Sequence, residues 1–218
     1  MSPATTSTTI PTGLVAAYGF NENQGGTTAD ASGRGNTGTA TNTSWTTAGR
    51  IGNALVFNGT TSLVTVADSA TLDLTTAMTV EAWVFPTVTL GQWVSIVSKE
   101  QSGSLVYFLY ARGTGGPAQG VFTGGGEQIL YGTTALPANT WSHVAATYDG
   151  AQQRLYVNGT QVANVARTGT ITASTLPLRI GGNTPYGNFF TGRIDEVRVY
   201  NRALSATEIN ADMTRPVP

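Results

Sequence analysis

The chain of 218 residues contains no cysteine, which excludes a disulfide framework and any thiolate metal site. Extracellular eukaryotic domains often carry disulfides, so this absence leans towards a bacterial exoprotein. Charge is also scarce: Asp, Glu, Lys and Arg make up 11% of the residues, with a formal net charge of -1. No basic patch stands out, so nucleic acid is not an expected partner. No acidic run suggests a solvating tail. No apolar run approaches the ~20 residues that a membrane-crossing helix needs, so membrane insertion is not expected. The first nine residues lack the basic start and apolar stretch of a signal peptide. There is one histidine, His143, with no sequence-evident nucleophile for it to serve.

Thr, Gly, Ala, Asn and Ser dominate instead, the composition of many short strands joined by turns. The length suits one large β-sandwich. Short apolar runs alternate with turn signals and predict strands at Leu14–Phe20, Ala54–Phe57, Leu63–Val66, Met78–Phe85, Val94–Ser98, Val106–Tyr110, Gly120–Thr123, Trp141–Tyr148, Gln153–Val157, Thr160–Val165, Leu178–Ile180 and Gly192–Tyr200. Asn158-Gly159 between two of them predicts a type I′ hairpin turn, and Asn58-Gly59 is a second candidate. Both sites, with Asn42, also match the glycosylation sequon, and they read here as plain turn residues. One short helix is expected at Ala203–Ile209, with Ser205 and Glu208 spaced as a capping box. Strands and helices do not alternate, so a Rossmann or α/β barrel fold is excluded. Residues 1–12 read as a linker or tag remnant, 13–213 as the domain, and 214–218 as the start of another linker.

Several segments, in order, resemble the laminin-G-like jelly-roll domains of the concanavalin A-like lectin/glucanase superfamily. They are the opening strand at Gly13–Glu22, the Asp30-Ala31-Ser32-Gly33-Arg34-Gly35-Asn36 loop, Gly52–Gly59, Met78–Val84, the pair Trp141–Gly150 and Leu155–Gly159, and the closing Gly192–Ser205. The resemblance spans about residues 13–212. It implies an all-β, two-sheet antiparallel jelly roll with one short C-terminal helix, and often a structural calcium ion. It fixes no single function, since relatives serve as carbohydrate-binding modules, adhesion domains and spacers.

For calcium, the expected ligands are Asn21, Asp30, Gly33, Asn36 and Asp195. Calcium takes six to eight oxygens from carboxylates, amides and carbonyls in a flexible loop, and the glycines free the loop backbone to turn. The resemblance sets the first and last strands side by side, which brings Asp195 towards the loop. The alternative is an Asx-turn, with Asp30 bonding its own backbone.

A catalytic constellation is not evident. Strand alternation sends the adjacent Asp195 and Glu196 to opposite faces, with Ile194, Glu196, Arg198 and Tyr200 on one face and Asp195, Val197 and Val199 on the other. On Met78–Phe85, Val80, Ala82 and Val84 oppose Glu81, Trp83 and Phe85. A structural ion pair of Glu81 or Glu196 with Arg198 is expected, holding both acids ionised. His143 is expected to be a hydrogen-bonded structural residue. Sugar binding needs exposed rings, and Trp93, Tyr131 and Tyr186 are the candidates, drawn from a pool that includes Trp45, Tyr107, Tyr110, Phe189 and Phe190. The expectation is a non-catalytic carbohydrate-binding or adhesion module, a monomer as an isolated domain, from a secreted or cell-surface protein. The alternatives are a glycan hydrolase or lyase, favoured by a convergent carboxylate pair in a groove, and a spacer without ligand.

Overall fold

A computed structural model describes residues 10–218. Most of the segment expected to be an N-terminal linker therefore lies outside the described residues. Sixteen strands form: β1 Leu14–Tyr18, β2 Thr27–Thr28, β3 Gly38–Thr41, β4 Ser44–Thr46, β5 Ala54–Asn58, β6 Leu63–Val66, β7 Met78–Pro86, β8 Val94–Gln101, β9 Ser104–Arg112, β10 Ala118–Thr123, β11 Gly126–Tyr131, β12 Ser142–Tyr148, β13 Gln152–Val157, β14 Thr160–Ala166, β15 Leu178–Ile180 and β16 Thr191–Tyr200. One helix, α1 Ala206–Asp212, follows, and Ser205 and Glu208 close the expected capping box.

The strands pair antiparallel in two sheets. Sheet A runs β14-β13-β12-β7-β16-β5-β4, with β1 also paired to β16. Sheet B runs β11-β10-β9-β8-β15-β6-β3-β2. The long β16 serves two neighbours in turn: Thr191–Ile194 meets β5, and Val197–Tyr200 meets β1. This is the two-layer sandwich that the alternating pattern calls for. Val80, Ala82 and Val84 of β7 and Val144, Ala146 and Tyr148 of β12 point into the shared core, where they meet Tyr107 and Leu109 of β9 and Ile96 and Val97 of β8. On β7 the other face carries Glu81, Trp83 and Phe85, as alternation requires.

The four strands that the sequence pattern does not mark are β2, β3, β4 and β11. The first three are short and rich in Thr and Ser, and β2 and β4 lie at sheet edges, where little apolar surface is buried. The fourth begins at Gly126. The glycines at 124–126 form a tight hairpin, with Thr123 opposite Gly126 and only Gly124-Gly125 between them.

The two Asn-Gly turns behave differently. Asn158 has φ 48° and Gly159 φ 75°, the two left-handed residues of a type I′ turn joining β13 to β14. Asn58-Gly59 joins β5 in sheet A to β6 in sheet B, so it is a corner between layers rather than a hairpin. There the Asn58 side chain accepts N–H bonds from Thr60, Thr61 and Ser62.

The C-terminal residues expected to open a linker dock on sheet A. Arg215 O accepts from Arg198 Nη2 at 2.6 Å, and Val217 N donates to Glu196 Oε2 at 2.6 Å. With α1 they cover the outer face of that sheet, where Leu204 and Ile209 pack on Leu14, Ala145, Tyr156 and Tyr200.

Candidate functional site: an aromatic cleft on the outer face of sheet B

β9 reads as apolar on both faces, and its outward residues are not needed for the core. Phe108 and Tyr110 form a separate cluster with Leu105 and Ala118, joined by Trp93 and Ile129. Gly120 stands directly opposite Phe108 on β10, and a Cβ there would come within 2.3 Å of the ring. Only glycine lets the Phe108 ring lie over the β10 backbone. Trp93, just before β8, has φ 61°, an uncommon left-handed conformation for a bulky residue. Its ring meets the edges of Tyr110 at 6.1 Å and Tyr131 at 6.0 Å. Such backbone strain persists where surrounding packing fixes it, and it concentrates at functional sites.

Trp93, Phe108, Tyr110, Tyr186, Glu127 and Asn188 line a cleft of about 330 Å³. Tyr186, 51% exposed, stands on the loop after Asn183, whose Oδ1 accepts the Tyr186 N–H. The Tyr110 hydroxyl accepts amide N–H bonds from Asn183 at 3.0 Å and Asn188 at 3.1 Å. Burial pushes the Tyr110 hydroxyl up to about 12, and the two asparagine amides pull the other way. It therefore stays protonated at neutral pH. Glu127 is the one carboxylate lining the cleft, and partial burial raises its pKa. Flat rings beside fixed hydrogen-bonding groups form the surface on which a sugar ring can stack and be oriented.

Trp93 and Tyr186 thus stand in one site, with Tyr131 behind Trp93 rather than on the cleft wall. Of the wider pool, Tyr110 belongs to the cleft. Tyr107 and Phe190 are in the core, and Trp45 on β4 donates to Gly25 O. Phe108, Glu127 and Asn188 went unmarked by sequence. The available signal was an unbroken apolar run on β9, in a sandwich whose outer faces should alternate to polar.

The five residues expected to hold calcium do not form a cage. Asp30 Oδ1 accepts from Ala17 N and Ser32 N, and Oδ2 from Ser32 Oγ and Asn36 N, so all four of its lone-pair sites are used. Asn36 donates to Val15 O and Thr71 Oγ1 and accepts from Ser69 Oγ. Asp195 reaches a different loop, accepting from Arg50 N, Ile51 N and Glu196 N. Asn21 Oδ1 accepts from Asn53 N. Gly33 is a left-handed, exposed loop residue. The strands β1 and β16 do pair, yet Asp30 and Asp195 serve separate loops. Among the described residues no three His, Cys, Asp or Glu side chains come together as metal ligands. N–H donors already aimed at these oxygens make hydrogen-bonded staples of the two loops.

Sheet A departs from the expected alternation. β16 bulges against β7 between Asp195, opposite Trp83, and Arg198, opposite Glu81. Glu196 takes φ 52° there. Ile194 therefore joins Val197 and Val199 in the core and does not share a face with Arg198. Glu196 still pairs with Arg198, at 2.9 Å. The pair does not hold its acids in the ordinary ionised range. Burial outweighs the Arg198 guanidinium and lifts Glu196 to about 7 and Glu81 well above the usual carboxylate range. Asp195 rises to about 6, again through burial. His143 is buried against Trp83, but neither ring nitrogen has a hydrogen-bond partner, and its Nε2 lies 3.8 Å from Glu81 Oε2. Burial and Arg198 lower its pKa to about 3, so it is neutral. Glu81 and Glu196 are sealed beneath α1 and residues 213–217, and Asp195 is covered by the Arg50–Ile51 loop.

The sandwich, with its short C-terminal helix, matches comparison with known proteins. The family model of the concanavalin A-like lectin/glucanases superfamily aligns with residues 58–210. The chain belongs to this family. Mouse pappalysin-1 is 37% identical over 78 residues, which is 34% of this chain and 5% of that protein. Domain 4 of AbnA, an extracellular GH43 arabinanase from Geobacillus stearothermophilus solved with arabinotriose, superposes with a TM-score of 0.76 at 22% identity, covering 92% of this chain and 98% of that one. The binding domain of Paraclostridial Mosquitocidal Protein 1 superposes with a TM-score of 0.74 at 17% identity, covering 92% of this chain and 52% of that one. At these identities the likeness establishes the jelly-roll fold. No helix among the described residues is long and apolar enough to cross a membrane.

Proposed function

We propose that this chain is a non-catalytic carbohydrate-binding or adhesion module of a larger secreted or cell-surface protein, and that the aromatic cleft of sheet B is its glycan site. One observation carries this reading. Trp93, Phe108, Tyr110 and Tyr186 converge on a single open cleft, with Asn188 and Glu127 as polar partners. Trp93 and Tyr186 offer stacking area above a floor made by the buried Phe108 and Tyr110, and the polar groups fix which hydroxyls are accepted. Arabinotriose in the structurally similar arabinanase domain makes arabinan a reasonable first glycan to try. The non-catalytic part is supported by the placement of the acids. Glu127 stands alone in the cleft, while Glu81 and Glu196 are buried under α1 and the C-terminal residues. A glycosidase needs two carboxyls flanking one bond. In this reading the Asp30 loop is held by its hydrogen bonds, and no ion is required.

The test is a glycan array followed by titration of arabinan and of each hit. Trp93→Ala should weaken binding by about 30-fold, the effect of removing an aromatic hot spot, with the melting temperature little changed. Equal binding by wild type and Trp93→Ala would remove the cleft from the site. Sugar release that survives purification and is lost in Glu127→Gln would make the chain an enzyme.

A further inference from the structure

The opposite sheet carries a second, different aromatic surface, and its geometry points to a binding site for an acidic saccharide, a glycan bearing uronate carboxylates. Trp83 and Phe85 lie on the outer face of β7: Trp83 is nearly buried and its Nε1 donates to Met213 O at the end of α1, at 3.2 Å, while Phe85 stays half-buried. Each is capped by a guanidinium. Arg50 lies over the Trp83 ring at 4.3 Å, and Arg193 lies over the Phe85 ring at 4.3 Å. Trp141, just before β12, packs on Phe85 with ring centroids 5.5 Å apart. Arg50, Trp83, Thr140, Trp141, Asn158 and Met213 line a shallow groove of about 600 Å³.

Both arginines are held in place. The Arg50 backbone is pinned by its N–H bond to Asp195 Oδ2 at 2.8 Å, and its side chain rests on Trp83. Arg193 donates from Nη1 to Ala48 O at 2.8 Å. Neither has an ion-pair partner among the described residues, whereas Arg154, Arg179, Arg198, Arg202 and Arg215 each have one. The masked N-terminal residues contain no Asp or Glu that might supply one. Asp195, the carboxylate nearest in the chain to Arg193, is occupied by three backbone N–H groups. At the groove rim, Asn158 uses its Oδ1 to accept from His143 N, and its amide N–H₂ has no acceptor among the described residues.

The surface thus presents donors without acceptors beside a half-buried tryptophan. A guanidinium fork takes a carboxylate through two parallel bonds, and stacking on an aromatic ring fixes the fork before the ligand arrives. Trp141 supplies a face for the pyranose that carries the carboxylate. The charge and ring requirements together select an acidic sugar over a neutral glycan or a bare anion.

The experiment uses the full chain and polygalacturonate as probe, with neutral arabinan and inorganic polyphosphate as controls. Wild type should bind polygalacturonate, with affinity falling as salt rises. Arg50→Ala should weaken it at least tenfold, and Arg50→Lys should restore little, since lysine lacks the fork. Trp141→Ala should also weaken it at least tenfold. Trp93→Ala should leave it unchanged, which separates this site from the sheet B cleft. Thermal melts establish that each variant is folded. Undetectable polygalacturonate binding, wild-type affinity in folded Arg50→Ala, or polyphosphate binding as tight as polygalacturonate would each overturn the proposal.

Discussion

On the outer face of sheet B, Phe108, Tyr110 and Trp93 line a cleft open to solvent. At one end of the outer face of sheet A, Glu81, His143, Glu196 and Arg198 are buried beneath α1 and the C-terminal residues. The two faces come from the same strand pattern, and the residue types run against simple expectation: rings on the open face, charges on the closed one. The difference lies in what each surface must do. The accessible rings of this cleft, Trp93 and Tyr186, carry a cost that stacking on a ligand offsets. Buried charges cost more, and are tolerable only when paired or neutralised. Sheet A uses both routes, pairing Arg198 with Glu196, raising the Glu81 pKa through burial and holding His143 neutral. A dry, charged cluster of this kind fixes the C-terminal segment in one register. It does not offer a general acid to a substrate.

The comparison breaks most readily at Arg198. Arg198→Ala removes the only cation among these buried acids in the described residues, takes away one of the two donors to Glu196 Oε2 and leaves Arg215 O without its donor. The expected loss is about 3–5 kcal/mol, the cost of removing one partner of a buried pair, enough to unfold a marginal domain. Denaturant melts measure it. A loss below about 1 kcal/mol would mean the cluster is wet and the two faces are not opposites.

Glu196→Gln sharpens the contrast through pH. The folded state lifts this acid to about 7, above its ordinary 4.5, so folding binds the proton more tightly than the unfolded chain does. Its contribution to stability is fully present below about pH 4.5 and is lost as pH rises through about 7. Glutamine cannot ionise, and its amide oxygen can still accept from Val217 N. The variant should gain on wild type between pH 5 and pH 8 by on the order of 2–3 kcal/mol. His143 runs the other way: its folded value is depressed, so its contribution is present above about pH 6.5 and lost towards about 3. It is shared by both proteins and cancels in their difference. A gap that does not change with pH would show Glu196 to be ionised throughout.

How far these faces were legible in sequence follows from what alternation can carry. β7 alternates cleanly, and its inward Val80, Ala82 and Val84 and outward Glu81, Trp83 and Phe85 are placed as the pattern requires. β16 does not, because one bulged residue, Glu196, resets the phase, and a bulge leaves no mark in a run of mixed residues. Trp93 and Tyr186 stood out because they sit among Gly, Asn and Pro, where a ring has no core to join. Phe108 was hidden because a cleft-facing phenylalanine and a core one look alike in a strand apolar on both faces. Asp30 and Asn36 were legible as a loop device, but whether their oxygens face a cation or backbone N–H groups depends on geometry that no spacing encodes.

A smaller effect is expected at the hairpin beneath the sealed face. Gly159 has φ 75°, and a Cβ there would lie 2.0 Å from Asn210 Oδ1 and 3.1 Å from Met213 Sδ. Gly159→Val combines a strained backbone with a clash against α1, and should cost about 1–3 kcal/mol. Gly124→Val, in the β10–β11 hairpin, has open space around its Cβ position and no positive φ, so it should cost less. Equal losses in denaturant melts would mean that α1 does not depend on this turn.

The smallest expected effect is that of chelation, and it bears on the loop that joins neither outer face. An ion bound only by the folded state would stabilise the domain by an amount that grows with its concentration over Kd, so chelation would lower the melting temperature. The oxygens in question already have partners. Asp30 takes four hydrogen bonds, from Ala17, Ser32 and Asn36, and Asp195 takes three, from Arg50, Ile51 and Glu196. To admit calcium, the loop would have to turn these N–H donors away and leave them unpaired, at about 1–3 kcal/mol for each buried group. We expect the melting temperature to be the same in chelator and in millimolar calcium. Asp30→Ala should destabilise equally in both, because it takes the carboxylate acceptor from three backbone N–H groups whether or not calcium is present. A melting point that falls in chelator, with that fall abolished by Asp30→Ala or Asp195→Ala, would show that these donors do give way to an ion.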